Sequence, residues 1–261
     1  MEPFMNTIFS VKDKVIAITG ATGYLGSKMA EQLSRAGAKV MILSTSLEKA
    51  QALCDRLGFS HLHAFSIDLE DKTSIEKAFA QIVETFSTID VLVNNAYFGI
   101  HRNFYSNSDA DWHKALDGSV VSVDHCVQAI VPYMKKQKNG RIINISSMYG
   151  MTVPYPEVYD TPDAMNPLTY GVGKAAINQY TKYAAMMLAE DNITVNSVSY
   201  GPFPNPDNVK DEQFLANLRS KTLLKRIGSA EDVGSAIFFL SLDESSYVTG
   251  QNIVVDGGWT V

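Results

Sequence analysis

Along the chain, short runs in which almost every residue is apolar alternate with longer segments carrying apolar residues at three- and four-residue spacing. The runs at 14–19, 39–43, 62–67, 90–94, 141–146, 194–198 and 252–255 read as strands, and their continuous apolarity predicts burial on both faces of a sheet. Segments 24–36, 47–57, 73–86, 110–135, 169–189 and 230–240 read as amphipathic helices. Such alternation builds right-handed βαβ units, so the expected architecture is α/β: a doubly wound, parallel, seven-stranded sheet with helices on both faces. No repeat or linker divides the sequence, and residues 1–261 are read as a single domain.

Two stretches break this rhythm. Residues 148–167 contain Pro154, Pro156, Pro162 and Pro167, and residues 200–208 contain Pro202, Pro204 and Pro206. Both follow strand ends, the edge at which open α/β sheets bind ligands. The first is therefore expected to be an inserted substrate loop, and 200–220 a substrate-side lid.

Composition narrows the functional classes. With 46% apolar and 19% charged residues the chain is too hydrophobic for disorder, and a net charge of −6 argues against a broad nucleic-acid surface. Cys54 and Cys126 form neither a disulfide framework nor a ligand pair, and the five histidines show no i, i+4 metal spacing, so no metal is expected. Residues 1–10 do not read as a signal peptide, and no apolar run is long enough for a membrane helix. The expectation is a cytoplasmic protein whose partner is a small molecule, with no nucleic acid and no membrane.

Directly after the first strand stands Gly20-Ala21-Thr22-Gly23-Tyr24-Leu25-Gly26, opening a helix. Glycines there permit a tight turn and let backbone approach a pyrophosphate, while the helix N-terminus offers unpaired amides and partial positive charge. Further on, Tyr170 and Lys174 lie four apart on one helix face. A tyrosine hydroxyl is a poor base at neutral pH, and a neighbouring ammonium favours its phenolate.

With these pieces in order the chain resembles the short-chain dehydrogenase/reductase family, in its compact branch, over nearly its whole length. The landmarks are the glycine turn, Asp68-Leu69, Asn94-Asn95-Ala96, Ser146-Ser147, Tyr170-x-x-x-Lys174, Asn196, Gly201 and Val255-Asp256-Gly257-Gly258. The resemblance implies a Rossmann-type fold and NAD(P)-dependent hydride transfer between a secondary alcohol and a ketone. It implies Tyr170 as the acid/base, Lys174 as holder of the nicotinamide ribose, and Ser147, rather than Ser146, as partner of the substrate oxygen. For the cofactor it implies Gly20, Thr22, Gly23, Tyr24, Leu25 and Gly26 at the pyrophosphate, Asp68 and Leu69 at the adenine, Asn95 and Ala96 at a ribose, and Gly201 to Phe203 at the nicotinamide amide. It also implies a homo-oligomer, a tetramer or dimer.

Departures from the family pattern are informative. The glycine spacing is that of the extended branch, with Tyr24 where compact members place glycine. The usual Asn-Asn-Ala-Gly ends in Tyr97, the usual Pro-Gly becomes Tyr200-Gly201, and Ser119 stands where many relatives have a relay asparagine. Ser44-Thr45-Ser46 ends the second strand without the acid that would repel a 2′-phosphate, which favours NADP(H) over NAD(H) by a small margin. Ser147 and Tyr170 are 23 positions apart, and the intervening loop carries Tyr149, Tyr155, Glu157, Tyr159, Asp160 and Asp163. Rings with carboxylates suit a polyhydroxylated ligand, and the loop also resembles a gluconate 5-dehydrogenase-like or nonulosonic-acid-pathway subgroup, pointing to a sugar-derived substrate. The alternatives are a nucleotide-binding scaffold without turnover, and an epimerase or dehydratase that uses the cofactor transiently.

Overall fold

Strands that are apolar at every position can only be buried between two helical layers, and that is how they pair. In a computed structural model, which describes residues 9–261, seven strands form one sheet: β1 (Val15–Thr19), β2 (Lys39–Ser44), β3 (Leu62–Ser66), β4 (Val91–Asn94), β5 (Gly140–Ser147), β6 (Ile193–Tyr200) and β7 (Asn252–Val255). All pairings are parallel, in the order β3-β2-β1-β4-β5-β6-β7. Of residues 1–10, read as no signal peptide, 1–8 lie outside the described residues.

Side-chain alternation divides the core cleanly. Ile16, Ile18, Val40, Ile42, Val93 and Ile143 pack against Met29 and Leu33 of α1 (Tyr24–Arg35), Leu53 of α2 (Leu47–Leu57) and Val233 and Ile237 of α8 (Ala230–Ser241). Val15, Ala17, Met41, Leu43, Leu92 and Ile142 face the other way. Their partners are Ile75 and Phe79 of α3 (Lys72–Phe86), Ile130 and Met134 of α5 (Ser122–Gln137) and Ile177 of α6 (Leu168–Leu188). Among the described residues no helix is long and apolar enough to cross a membrane.

Three expectations are corrected. The helix read as 110–135 is instead α4 (Asp109–Leu116), a five-residue π-helical segment Asp117–Val121, and α5. The extra backbone residue brings Gly118 against the carbonyl of Phe98, where a side chain would clash, so the bulge follows from a tertiary contact that periodicity does not register. The sixth strand runs two residues beyond its expected end, to Tyr200, because β7 pairs with it as far as Tyr200 and Val255. Within 200–220 lies an unforeseen helix, α7 (Glu212–Lys221), whose N-cap Asp211 accepts from the amides of Gln213 and Phe214 while Leu215 and Leu218 are buried. The cap followed by apolar residues at helical spacing was its sequence signal.

Residues 148–167 form three short 3₁₀ turns instead of an open loop. They are latched to α7. Val158 packs with Leu215, Leu218 and Trp259, Asn217 donates to the Val158 carbonyl, Lys221 pairs with Glu157, and the Tyr149 and Tyr159 hydroxyls share a 2.6 Å hydrogen bond. Loop and helix thus form one separate small core over the C-terminal edge of the sheet.

Candidate active site

Strand order reverses between β1 and β4, and the crevice there holds a cavity of about 540 Å³. Its floor is the glycine turn. Gly20 adopts φ +63°, and a Cβ on it would meet Ala96 at 2.9 Å, so turn and β4 approach to backbone contact. The Thr19 hydroxyl accepts from the amides of Asn95 and Ala96, while the Asn95 side-chain amide donates to the carbonyls of Thr19 and Gly20. Asn95 is therefore a clamp between two strand ends as well as a wall of the cavity.

Helix α1 begins at the cavity with Gly23 as N-cap, no side-chain cap and no acid in its first turn. Its leading amides are consequently directed at whatever occupies the crevice, a setting suited to an anion. Among the described residues lining the cavity there is no carboxylate. These features fit a dinucleotide with its pyrophosphate at Gly20 to Gly26. Thr22 and Ser44 share a 3.2 Å hydroxyl–hydroxyl contact at the rim, beside Thr45.

At the other end stand Ser147, closing β5, and Tyr170 and Lys174, from the first turns of α6. The four-residue spacing puts both side chains on the face turned to β5. Lys174 is buried and donates to the Ile145 carbonyl at 2.8 Å, and its pKa is pushed down to about 8 by burial. Burial also raises the Tyr170 phenol, against which the Ser147 hydroxyl acts as a hydrogen-bonding neighbour that lowers it. The expected depression of the phenol by the ammonium is not the arrangement found: Lys174 Nζ lies 5.6 Å from the Tyr170 ring centroid and its hydrogen bond goes to Ile145. Between the two serines the geometry discriminates. Ser146 donates its hydroxyl to the Lys174 backbone carbonyl, whereas the Ser147 hydroxyl accepts from the Tyr149 amide and keeps its proton available.

Most residues expected at the site line this one cavity: Gly20, Thr22, Gly23, Tyr24, Leu25, Gly26, Ser44, Thr45, Leu69, Asn95, Ala96, Ser147, Tyr170, Lys174, Gly201 and Phe203. Three do not. Ser46 is the N-cap of α2, accepting from the Lys49 amide. The Asp68 carboxylate accepts from the Glu70 amide in a turn, while its neighbours Ile67 and Leu69 face the cavity. Ser119 is buried in the π-helical segment, donates to the Ala115 carbonyl at 2.7 Å and packs against Gly173. Replacing Ser119 by alanine is expected to cost about 1 kcal/mol of stability. It should leave kcat within roughly threefold, since no cavity atom is touched. Thermal melting and steady-state kinetics check both, and a tenfold fall in kcat with unchanged melting would restore a relay role.

Several landmarks prove to be architectural. Asn196 holds the turn before β7 by accepting from the Gln251 amide and donating to the Val248 carbonyl. Asp256 accepts from the Gly258 amide and from Thr260, and a Cβ on Gly201 would stand 2.5 Å from Asp256 Cα. Bulky Tyr200 does not plug the crevice: its hydroxyl is tied to the Val233 carbonyl and its ring is edge-on to Phe203, forming a wall. The loop aromatics Tyr149, Tyr155 and Tyr159 pack in the small core or on Trp259 and Phe214, and Glu157 pairs outward with Lys221, so the expected ring-and-carboxylate sugar cradle is not assembled in this cavity.

Comparison with known proteins agrees with this geometry. The sequence model of a family described as enoyl-(acyl carrier protein) reductase matches residues 20–260. A 3-oxoacyl-[acyl-carrier-protein] reductase from Thermotoga maritima is 34% identical over 256 residues, 96% of this chain and 99% of the relative. The chain belongs to the short-chain dehydrogenase/reductase family. It is thereby an NAD(P)-dependent oxidoreductase with the family's single Rossmann-type domain. Among solved structures, this short-chain dehydrogenase is similar to a gluconate 5-dehydrogenase from Burkholderia cenocepacia in complex with NADP and tartrate. The two are 27% identical with TM-score 0.88, covering 98% of each chain. It is similar also to a short-chain dehydrogenase from Leptospira borgpetersenii with bound NAD+, at 27% identity and TM-score 0.85, covering 98% of this chain and 96% of that one.

Proposed function

We propose that the protein interconverts a ketone and a secondary alcohol, with Tyr170 as acid/base, Ser147 orienting the reacting oxygen and Lys174 supplying positive charge beside them. The observation carrying this reading is the convergence of Ser147, Tyr170 and Lys174 at one end of a cavity whose other end is a glycine turn at an uncapped helix N-terminus. A nicotinamide cofactor bound there gives or takes the hydride. The chain's own residues manage the proton. A phenol raised by burial is held protonated at neutral pH, so in reduction Tyr170 Oη donates to the carbonyl oxygen as it gains negative charge. The Ser147 hydroxyl, free to donate, stabilises the same oxygen.

NADP(H) is the favoured cofactor, supported by the Thr22, Ser44 and Thr45 hydroxyls and the lack of an acid among the lining residues described. Two substrate classes remain, each with its own support. A 3-oxoacyl thioester is favoured by the 34% identical Thermotoga reductase. A sugar acid is favoured by the gluconate 5-dehydrogenase neighbour. A homo-oligomer belongs to the same reading, supported by exposed Tyr183, Met186 and Met187 on α6.

The test is a thermal-shift titration followed by turnover. A cofactor at one hundred times its Kd adds about 2.7 kcal/mol of stability, so NADP(H) should raise the melting temperature more than NAD(H) at equal concentration. Turnover of acetoacetyl thioesters against 5-oxogluconate then separates the substrate classes. Absence of a shift with either dinucleotide would overturn the proposal.

A further inference from the structure

The family pattern places glycine where this chain has Tyr97, and the structure gives that ring a specific station. Its backbone is anchored, because Ala96 before it is held by the Thr19 hydroxyl and packs on Gly20. Its phenol tip rests against Gly99, where any side chain would collide with it, so the following loop leaves room for this ring. From there it meets Tyr170 edge-on, with centroids 5.0 Å apart at 81°. Lys174 Nζ lies 5.5 Å from the Tyr97 centroid and 5.6 Å from that of Tyr170.

We propose that Tyr97 is a positioning residue for the acid/base pair: its aromatic ring holds the Lys174 ammonium beside Tyr170, and the ring, not its hydroxyl, performs this task. The proposal rests on the reading of Tyr170 and Lys174 given above. An ammonium carries three donors, and one goes to the Ile145 carbonyl while the side chain is buried. An aromatic ring is the one kind of apolar neighbour that still attracts a cation through its quadrupole. The other titratable side chains facing the cavity are Tyr24, Tyr170 and Tyr200, with Tyr149 behind Tyr170; among the described lining residues there is no carboxylate to take over the role. Tyr97 thus attracts the ammonium through its ring quadrupole, without forming an ion pair that would draw it away from the tyrosine.

The variants Tyr97→Phe and Tyr97→Leu separate ring from hydroxyl while keeping the site apolar. With ¹⁵N-lysine labelling, the Lys174 amine of the parent is expected to titrate below the ordinary lysine range, at about 8, because it is buried. Tyr97→Phe should leave that midpoint in place, and Tyr97→Leu should lower it by about 0.5–1 pH unit, because the cation loses its ring while burial persists. Should Tyr97→Leu fail to fold, Tyr97→Met is read instead. An unchanged Lys174 midpoint in the aliphatic variant, or an equal shift in Tyr97→Phe, overturns the proposal. Loss of turnover in Tyr170→Phe tests the acid/base reading separately, since the lysine titration needs no turnover.

Discussion

Replacing Tyr170 by phenylalanine is expected to reduce turnover by about 10²–10⁴-fold, the usual worth of a positioned acid/base, while nucleotide affinity changes little. The ring itself is structural: it lines the cavity beside Ser147, packs with the loop core and meets Tyr97 edge-on, and phenylalanine keeps all of that. Only the hydroxyl is lost. Because burial keeps the phenol protonated, the reduction direction has a proton ready on Oη: Lys174 is committed to the Ile145 carbonyl, and Ser146 is tied to the backbone of Lys174. The split to measure is a collapse of kcat beside an unaltered dinucleotide Kd. A variant turning over at more than a tenth of the parent rate would remove Tyr170 from the chemistry.

The second large effect is expected at Gly26. A Cβ there would stand 2.5 Å from the Gly20 carbonyl oxygen, 2.8 Å from Asn95 Nδ2 and 2.9 Å from Ala21 Cα, and none of these can yield freely. The first and third are backbone of the turn, and Asn95 is held by two carbonyls. Gly26→Ala must therefore push α1 away from the strand ends and loosen the clamp, at a cost of about 1–3 kcal/mol of stability. Displacing the uncapped helix end from the crevice should weaken NADP(H) binding by at least about tenfold, measured by calorimetric titration, tenfold being about 1.4 kcal/mol. Gly58→Ala is the contrast. Its φ of +71° makes a side chain strained, yet nothing lies within 4 Å and it caps α2 away from the cavity. It should lower melting without altering affinity; an affinity loss equal to that of Gly26→Ala would show a global effect in place of a local one.

Much of this site was legible in one dimension because parallel α/β topology converts order along the chain into place along an edge. Gly20 to Gly26, Asn95-Ala96, Ser147 and Gly201 each follow an apolar run, and runs of that kind end on the same side of the sheet. Tyr170 and Lys174 were legible because helical spacing alone puts them on one face. What failed did so for identifiable reasons. Asp68 and Ser46 sit beside cavity residues in sequence, but turn and cap hydrogen bonds rotate their side chains away. Ser119 lies in a π-helical segment, and its hydroxyl is turned to the Ala115 carbonyl instead of the cavity. The loop tyrosines and acids were grouped by proximity in sequence, whereas Tyr149, Tyr155 and Tyr159 pack in a small core with Leu215 and Leu218 of α7, a helix distant in the chain.

The sequence by itself therefore determined the sheet, the direction of its strands and the inventory of groups at its C-terminal edge, since these depend on periodicity and chain order, which are local. The tertiary structure alone decided which of those groups face the same space. It turned Tyr97 from an awkward substitution into a neighbour of the Lys174 ammonium, and set the protonation of Tyr170 by burial more than by charge. Orientation, desolvation and close approach arise between segments distant in the chain, and no spacing rule along one segment contains them.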